Sequence, residues 1–457
     1  MLLDESMNPV GPVCGWFRAL AYDNKQPETM RVYAYILRRL AVFLAGRGAD
    51  LLSVTEADLV AYRRSRTELG DRPIDEVTWH REAVVIKLFY GYLVDEGLLR
   101  RRPFRLTGPR ADRNSLHSGM KREMRVRHMT VDQYLYFRDV GLGGQLPDGR
   151  VNTSFRGWAP HRSRAALELA LLTGMRLQEW STALLPELGV GVRRPGDPVE
   201  FELQACAKYE LSRTVYVPPA ALSMVDTYLL LERPEVAEAS ARSLAGRSRE
   251  LFVVTRIDAE RGRLYGVWEG RQRTFRMSAM SPEVRRLAVT ETDAGLEPLA
   301  VFIGHGGLML GPSSWDRLRT DAWRRMRAHA TKDTPMLPAW PWRFHDARHT
   351  FALQLLKYLQ RTRVQREIER DQGRGRATLA EHVALNPLLT VQRRLGHLRP
   401  ASTYVYLRYL EDPANYVDAA FAGWTEHDGA TYADIAVHAM ENERGDRQER
   451  VGDATTG

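Results

Sequence analysis

Four short segments, far apart in the chain, carry side chains able to act together on a phosphodiester. Leu171 to Glu179 (Leu-Leu-Thr-Gly-Met-Arg-Leu-Gln-Glu) runs an apolar stretch into a Gly turn and presents Arg176. His345 to Ala352 places His345, Arg348 and His349 at i, i+3 and i+4, hence on one face of a helix. Leu395-Gly-His397 sets an imidazole straight after a Gly that would end a helix, and Ser402 to Tyr409 offers Tyr404, Tyr406 and Tyr409. Cleaving a phosphodiester takes a nucleophile, stabilisation of charge at pentavalent phosphorus and a proton for the leaving oxygen. With a pKa near 10, only about one phenol in a thousand is ionised unaided at neutral pH, so a tyrosine nucleophile needs a base and a positive field. Guanidinium forks grip two non-bridging oxygens in a geometry that Lys cannot reproduce, which suits Arg176 and Arg348.

Taken singly, each segment has an ordinary explanation. An Arg after a Gly turn is usually a surface cation, a Gly-His pair a helix cap, and a Tyr at helical spacing part of a core. His345 with His349 suggests a zinc pair, but Asp346 stands where the zincin Glu would be and no third ligand is evident, so no metal is expected. In combination the segments resemble the tyrosine recombinase (phage integrase) family. Its signature is an Arg in a Thr-Gly-x-Arg-x-x-Glu box, a His-x-x-Arg-His-Thr box, a Leu-Gly-His box and a Tyr nine residues beyond that last His. Here these are Thr173 to Glu179, His345 to Thr350, Leu395 to His397, and Tyr406, with Tyr409 and Tyr404 as competitors. The likeness spans roughly residues 15 to 425.

The resemblance implies site-specific DNA recombination, by integration and excision or by transposition of a mobile element, through a 3′-phosphotyrosine at Tyr406. It implies that Arg176 and Arg348 hold the phosphate, that His345 assists proton removal from Tyr406, and that His397 hydrogen-bonds a phosphate oxygen. The family's remaining catalytic residue is a Lys on a β-hairpin; Lys208 fits, since it precedes the basic then apolar run Arg213-Thr-Val-Tyr-Val-Pro218. Because the covalent intermediate conserves the bond energy, neither ATP nor any other cofactor is needed, and no Gly-x-x-x-x-Gly-Lys loop occurs. Expected partners are double-stranded DNA bearing specific recombination sites, three further copies of the chain in a homotetramer on DNA, and an accessory directionality protein. A type IB topoisomerase and a catalytically inactive DNA-binding relative are the rival readings.

The elements that must position these residues are mostly helical. Pro27 to Leu44 places Tyr33, Ile36, Leu37, Leu40, Phe43 and Leu44 on one face. Thr55 and Asp58 form a capping box for a second helix, and Thr78 caps a third that buries Val84, Val85, Leu88, Phe89 and Tyr92. A helical bundle over residues 15–100 therefore precedes a basic linker, 101–128, and residues 129–425 carry the chemistry. Within the latter, Val199 to Gln204 and Arg213 to Val217 alternate like the strands of a hairpin. Residues 251–312 contain strand-like pieces at Leu251 to Val254 and Leu299 to Ile303 whose pairing is open, and 251–312 and 360–390 read as surface insertions. The expected class is α+β, mainly α with a small β-sheet: a helical core-binding domain followed by an integrase-like catalytic domain. Pro413 to Trp424 offers Tyr416, Phe421 and Trp424 for docking on a neighbouring protomer or on its own domain, and 426–457 reads as a partly disordered polar tail.

Charge agrees with a polyanionic partner. The net charge is +9, and from Arg100 to Arg127 ten Arg and Lys face only Asp112 and Glu123. Arg100, Arg101, Arg102, Arg105, Arg110, Lys121, Arg122, Arg125 and Arg127 are the candidate phosphate contacts of this linker. Two cysteines, Cys14 and Cys206, exclude a disulfide framework. With no apolar run of about 18 residues and no leader, a soluble, cytoplasmic, nucleoid-associated chain without membrane contact is expected.

Overall fold

The computed structural model describes residues 2–4, 6–69, 73–105, 115–116, 126–207, 211–371 and 386–409, with side chains described to 366 and 407 in the last two segments. The class is α+β, mostly helical with two small sheets. No helix among the described residues is long and apolar enough to cross a membrane. The chain divides into two compact units, Met1–Met124 and Arg125–Gly457.

In the first unit α1 (Gly11–Tyr22), α2 (Pro27–Ala45), α3 (Glu56–Thr67) and α4 (Glu76–Asp95) close around an apolar core. α1 is additional to the three helices that periodicity predicts. α2 buries Ile36, Leu37, Leu40 and Leu44, the stripe its 3.6-residue period requires. The capping box of α3 forms, Thr55 Oγ1 accepting the Asp58 N–H at 3.3 Å and Asp58 Oδ2 accepting the Thr55 N–H at 3.1 Å.

Two expectations change on α4. Its cap is Asp75, not Thr78; the Asp75 carboxylate accepts the Thr78 N–H at 2.7 Å. Its buried stripe contains Trp79, Ala83, Val85, Ile86, Phe89, Tyr90 and Leu93, so Val85 and Phe89 are buried as expected, Tyr92 is half-buried, and Val84 and Leu88 are exposed. Glu82 accounts for this rotation. It is buried and accepts from Arg39 at 2.8 Å, Arg66 at 2.9 and 3.2 Å, and the Tyr62 hydroxyl at 3.1 Å, so α4 must keep it turned inward toward those partners. Of the basic linker, Phe104 and Leu116 pack into this core while Arg100, Arg101, Arg102 and Arg105 are exposed. Arg110, Lys121, Arg122 and Arg125 lie outside the described residues.

In the second unit α5 (Val131–Tyr136) runs into a π-helical turn, Phe137–Leu142, and leads to α6 (Pro160–Thr173), which buries Ala165, Ala166, Leu167, Leu169 and Ala170. The short α7 (Leu177–Ser181) follows. β1 (Val199–Leu203) and β2 (Arg213–Val217) pair antiparallel as alternation predicts, Val199 opposite Val217 and Leu203 opposite Arg213. α8 (Pro219–Leu231) and α12 (Phe344–Asp371) pack on α6, and α11 (Pro312–Ala328) on the π turn. Trp180, Phe302, Trp315 and Phe344 meet edge to face or tilted at their centre, with centroids 4.8 to 6.0 Å apart.

Between α9 (Arg233–Ala245) and α11 the chain builds a five-stranded sheet of order β5-β4-β3-β6-β7. Its strands are β3 (Phe252–Asp258), β4 (Arg263–Trp268), β5 (Arg271–Arg276), β6 (Ala288–Thr292) and β7 (Gly295–Pro298), with α10 (Pro282–Leu287) between β5 and β6. Leu299 to Ile303 is no strand of this sheet: Ala300 bridges Leu184 and Ile303 bridges Met309. The 360–390 insertion begins as a continuation of α12 through Asp371. α13 (Pro387–Leu395) is capped by Asn386, and α14 (Ala401–Tyr404) passes into a 3-10 turn, Val405–Tyr409. Pro413 to Trp424 and the 426–457 tail lie outside the described residues.

One buried ion pair ties the inserted sheet to the helical core. Arg285 of α10 meets both oxygens of Glu187 at 2.7 Å and donates further to the carbonyls of Thr182, Met277 and Met280. Breaking such a pair leaves an uncompensated charge inside. Glu187→Ala should lower the unfolding free energy by about 3 to 5 kcal/mol in urea titrations. The Glu187→Met/Arg285→Met double variant should recover most of the loss, and a single-variant loss below about 1 kcal/mol would remove the pair's structural role.

Candidate active site

The site is assembled from helix ends. α6 stops at Thr173 because Gly174 adopts a left-handed φ of 63°, and a Cβ there would lie 2.4 Å from Phe351 Cδ1, so only Gly suits this turn. The reversal makes Arg176 the N-cap of α7, where its N–H donates to Glu179 Oε2 at 2.7 Å and its Nη1 to Glu179 Oε1 at 2.9 Å. Arg213 of β2 approaches the same carboxylate, Nη1 to Oε1 at 3.0 Å and Nη2 to Oε2 at 2.6 Å. Glu179 is fully buried. Burial alone would raise its pKa, but the hydrogen bonds and charge of Arg213, with the charges of Arg176 and Arg348, outweigh it and hold the carboxyl at about 2.

Arg348 of α12 is buried and donates to the Gly174 and Leu395 carbonyls, the C-terminal ends of α6 and α13. Orphan carbonyls and the negative ends of two helix dipoles thus surround its guanidinium. Burial and the neighbouring Arg176 lower its pKa to about 9, which leaves it charged at neutrality. A second left-handed Gly, Gly396 at φ 61°, ends α13, and a Cβ on it would meet Arg213 Cδ at 3.0 Å. Immediately after it, the His397 ring is fixed by a 2.9 Å hydrogen bond between Nδ1 and Thr403 Oγ1.

Tyr406 is buried in the 3-10 turn among Val126, Leu353, Leu356, Val391 and Leu395. Its hydroxyl lies 2.9 Å from His349 Nδ1, and its ring is parallel to that of His397 with centroids 6.3 Å apart. Burial pushes the phenol up to about 12 against the charges of Arg348 and Arg176, which pull it down. Burial, His345 and Arg348 lower His349 to about 3, and burial, Arg348 and Arg176 do the same to His397. Both imidazoles are therefore neutral, and in the Nε2–H tautomer His349 Nδ1 accepts a hydrogen bond from the Tyr406 hydroxyl.

Arg176, Arg348, His397 and Tyr406 are thus brought together. His345 is exposed, with its ring edge-on to His349 at 4.8 Å between centroids, so the imidazole touching the Tyr406 hydroxyl is His349. Lys208 lies outside the described residues, between the strands β1 and β2. Tyr404 is exposed, and the Tyr409 side chain is not among those described. Arg127 is half-buried, its guanidinium 5.3 Å from the Trp340 ring centroid. Sequence reasoning missed the contact of His349 with Tyr406 and the part played by Arg213. Their signals were the i, i+4 placement beside His345 and the basic start of the return strand.

The depressed Glu179 carboxyl makes a pH prediction. A group whose folded pKa lies below its unfolded value stabilises fully above the unfolded value, near 4.5, and loses that contribution as pH falls toward about 2. The difference in unfolding free energy between the native chain and Glu179→Gln should therefore be constant above about pH 5 and shrink between about 4.5 and 2. A difference that stays flat across that window would show that the carboxylate is not held by its arginines.

No family model matches the chain, and no curated protein matches it. Among solved structures it is similar to an XerH site-specific recombinase bound to a palindromic difH substrate, at 13% identity and a TM-score of 0.47, over 88% of this chain and 81% of that one. It is similar to the Tn1549 transposon integrase in complex with transposon right end DNA, at 12% identity and a TM-score of 0.47, over 90% of this chain and 98% of that one. A third structure to which it is similar is an integrase from mycobacterium phage Brujita, at 11% identity and a TM-score of 0.25, with 86% of each chain covered.

Proposed function

We propose that the chain is a tyrosine recombinase that breaks and rejoins DNA strands at specific sites, with Tyr406 as the nucleophile. The observation that carries this reading is the Tyr406 hydroxyl, 2.9 Å from a neutral imidazole and within the field of two arginines. Such a group can attack an electrophile whose charge the arginines stabilise, and a phosphodiester is the electrophile that guanidinium forks fit. Arg348 has five N–H donors, of which Nη1 and Nη2 each supply one to a carbonyl, so others remain for phosphate oxygens.

In this reading Arg176 and Arg348 clamp the non-bridging oxygens and His397 donates through Nε2 to one of them. His349 accepts the proton of Tyr406 as the O–P bond forms, with His345 edge-on behind it as the route to solvent. Lys208 protonates the departing 5′ oxygen. The phenolic oxygen becomes esterified to the 3′ phosphate, and attack by a new 5′ hydroxyl reverses the step and releases the tyrosine. Exposed Arg100, Arg101, Arg102 and Arg105 contribute phosphate contacts, and the exchange of strands takes place in a homotetramer on two duplexes, serving integration and excision or transposition.

Nicked suicide duplexes tiled across the DNA flanking its own gene provide the test, because a nick lets the cleaved fragment diffuse away and traps the protein–DNA adduct. The native chain should form an adduct resistant to denaturant, and Tyr406→Phe none. His349→Ala should slow single-turnover cleavage about 10²- to 10⁴-fold with DNA affinity little changed. Adducts that persist in Tyr406→Phe would rule out this nucleophile, and a native chain inert on every duplex would sink the recombinase reading.

A further inference from the structure

The sheet inserted between α9 and α11 carries a basic patch on one side of its β3–β4–β5 end, while the same side is apolar at Val253 and Val289 toward β6. Phe252, Val254 and Leu264 are buried on the opposite side, where Phe275 packs edge to face on Phe252 with centroids 5.0 Å apart. Cross-strand register sets the basic patch. Asp258, Arg263 and Arg276 form one row across β3, β4 and β5, and Arg256, Tyr265 and Thr274 form the next. Neighbouring strands lie about 4.8 Å apart and successive rows about 7 Å, so three guanidiniums share a small patch. All three arginines are exposed, and among the described residues none of them forms an ion pair.

This arrangement is costly for a sheet that serves only itself. Arg263 and Arg276 are directly opposite, a placement in which like charges repel. Asp258, next in the row, is already taken up by Arg261, whose N–H reaches Oδ1 at 3.0 Å and whose guanidinium lies 3.9 Å from Oδ2. Glu260 and Glu269 sit in the connecting turns, off the strands. Arg256 lies over the Tyr265 ring, 3.9 Å from its centroid, which holds the guanidinium at the surface. Charges on β5 alone would be explained by edge protection, since β5 ends the sheet. Edge protection explains neither Arg263 on β4 nor Arg256 on β3, which lie inside the sheet.

We propose that this face is a second duplex-DNA surface, in which Arg256, Arg263 and Arg276 bind backbone phosphates independently of base sequence. DNA as the polyanion follows from the recombinase reading; the surface itself follows from charge complementarity. Arginine contacts to phosphate position a protein on the duplex without reading sequence, so the face would add affinity for DNA rather than choose the cleavage site.

The test measures binding of the full chain to a random-sequence 40-base-pair duplex by fluorescence anisotropy across a salt series, for the native chain and for R256Q/R263Q/R276Q. Each phosphate contact contributes about 0.9 to the slope of log affinity against log salt, so the triple variant should be shallower by about 2 to 3 and bind at least about tenfold more weakly at low salt. R263Q/R276Q, which keeps the Arg256–Tyr265 stack, should show about two thirds of the triple variant's decrease in slope, and thermal melts should match the native chain. An unchanged slope in folded variants would overturn the proposal and leave the face to another partner, such as an acidic protein. The adduct assay separates the two readings: the variant still forms covalent adduct at saturating protein if Tyr406 chemistry holds. A shallower slope without adduct from any form would keep the surface and discard the recombinase.

Discussion

The buried carboxylate of Glu179 is the constraint on which the site depends. In the proposed function the site must gather cations before a phosphate arrives, and gathered cations repel. Two unit charges about 4 Å apart interact by about 4 kcal/mol at the effective dielectric near a protein surface. Glu179 offsets that repulsion from the centre, receiving Arg176 from its own helix and Arg213 from β2. It also fixes geometry. The Arg176 N–H it accepts begins α7, and the Arg213 pair ties to it the β1–β2 pair of strands.

Arg348 meets the same problem differently: among the described residues it forms no ion pair and donates instead to two carbonyls. Its guanidinium closes the C-termini of α6 and α13 at once, so one side chain joins three segments that are far apart in sequence. The glycines at both ends then have a physical meaning beyond turning the chain. Gly174 leaves room for Phe351 and Gly396 for Arg213, and a side chain at either would push the helix ends apart and open the cradle around Arg348.

What was legible in the sequence follows from the range of the interactions involved. The Thr55/Asp58 box, the α2 stripe and the β1–β2 hairpin depend on neighbours a few residues away and read correctly. The face of α4 read correctly only at Val85 and Phe89, because Glu82 finds its partners on α2 and α3 and turns Val84 and Leu88 outward. The inserted sheet was hidden for a related reason. β5 is Arg-Gln-Arg-Thr-Phe-Arg, a strand only because β4 lies beside it, and Phe275 is its sole apolar residue. At the site, the boxes announced which residue types would meet, but contact between His349 and Tyr406 depends on how α12 faces the last 3-10 turn, which no local spacing encodes.

The electrostatics of the resting site bear on how the proposed reaction must run. Tyr406 at about 12 and His349 at about 3 form a neutral pair, and moving the proton outright between them would cost on the order of ten kcal/mol. Arrival of a phosphodiester anion raises the pKa of both partners, so its effects on proton transfer between them oppose one another. It makes the imidazoles more basic, and by occupying Arg176 and Arg348 it also weakens the field that favours phenolate. Prior ionisation of the tyrosine is therefore not a route the bound complex opens. Proton transfer has to accompany formation of the O–P bond, because only then does negative charge leave the phenolic oxygen for the phosphorane oxygens that the arginines hold. A buried, neutral phenol hydrogen-bonded to a neutral imidazole is the ground state that the proposed concerted step requires, and in that reading Tyr406 would stay unreactive until a phosphate lies between the two guanidiniums.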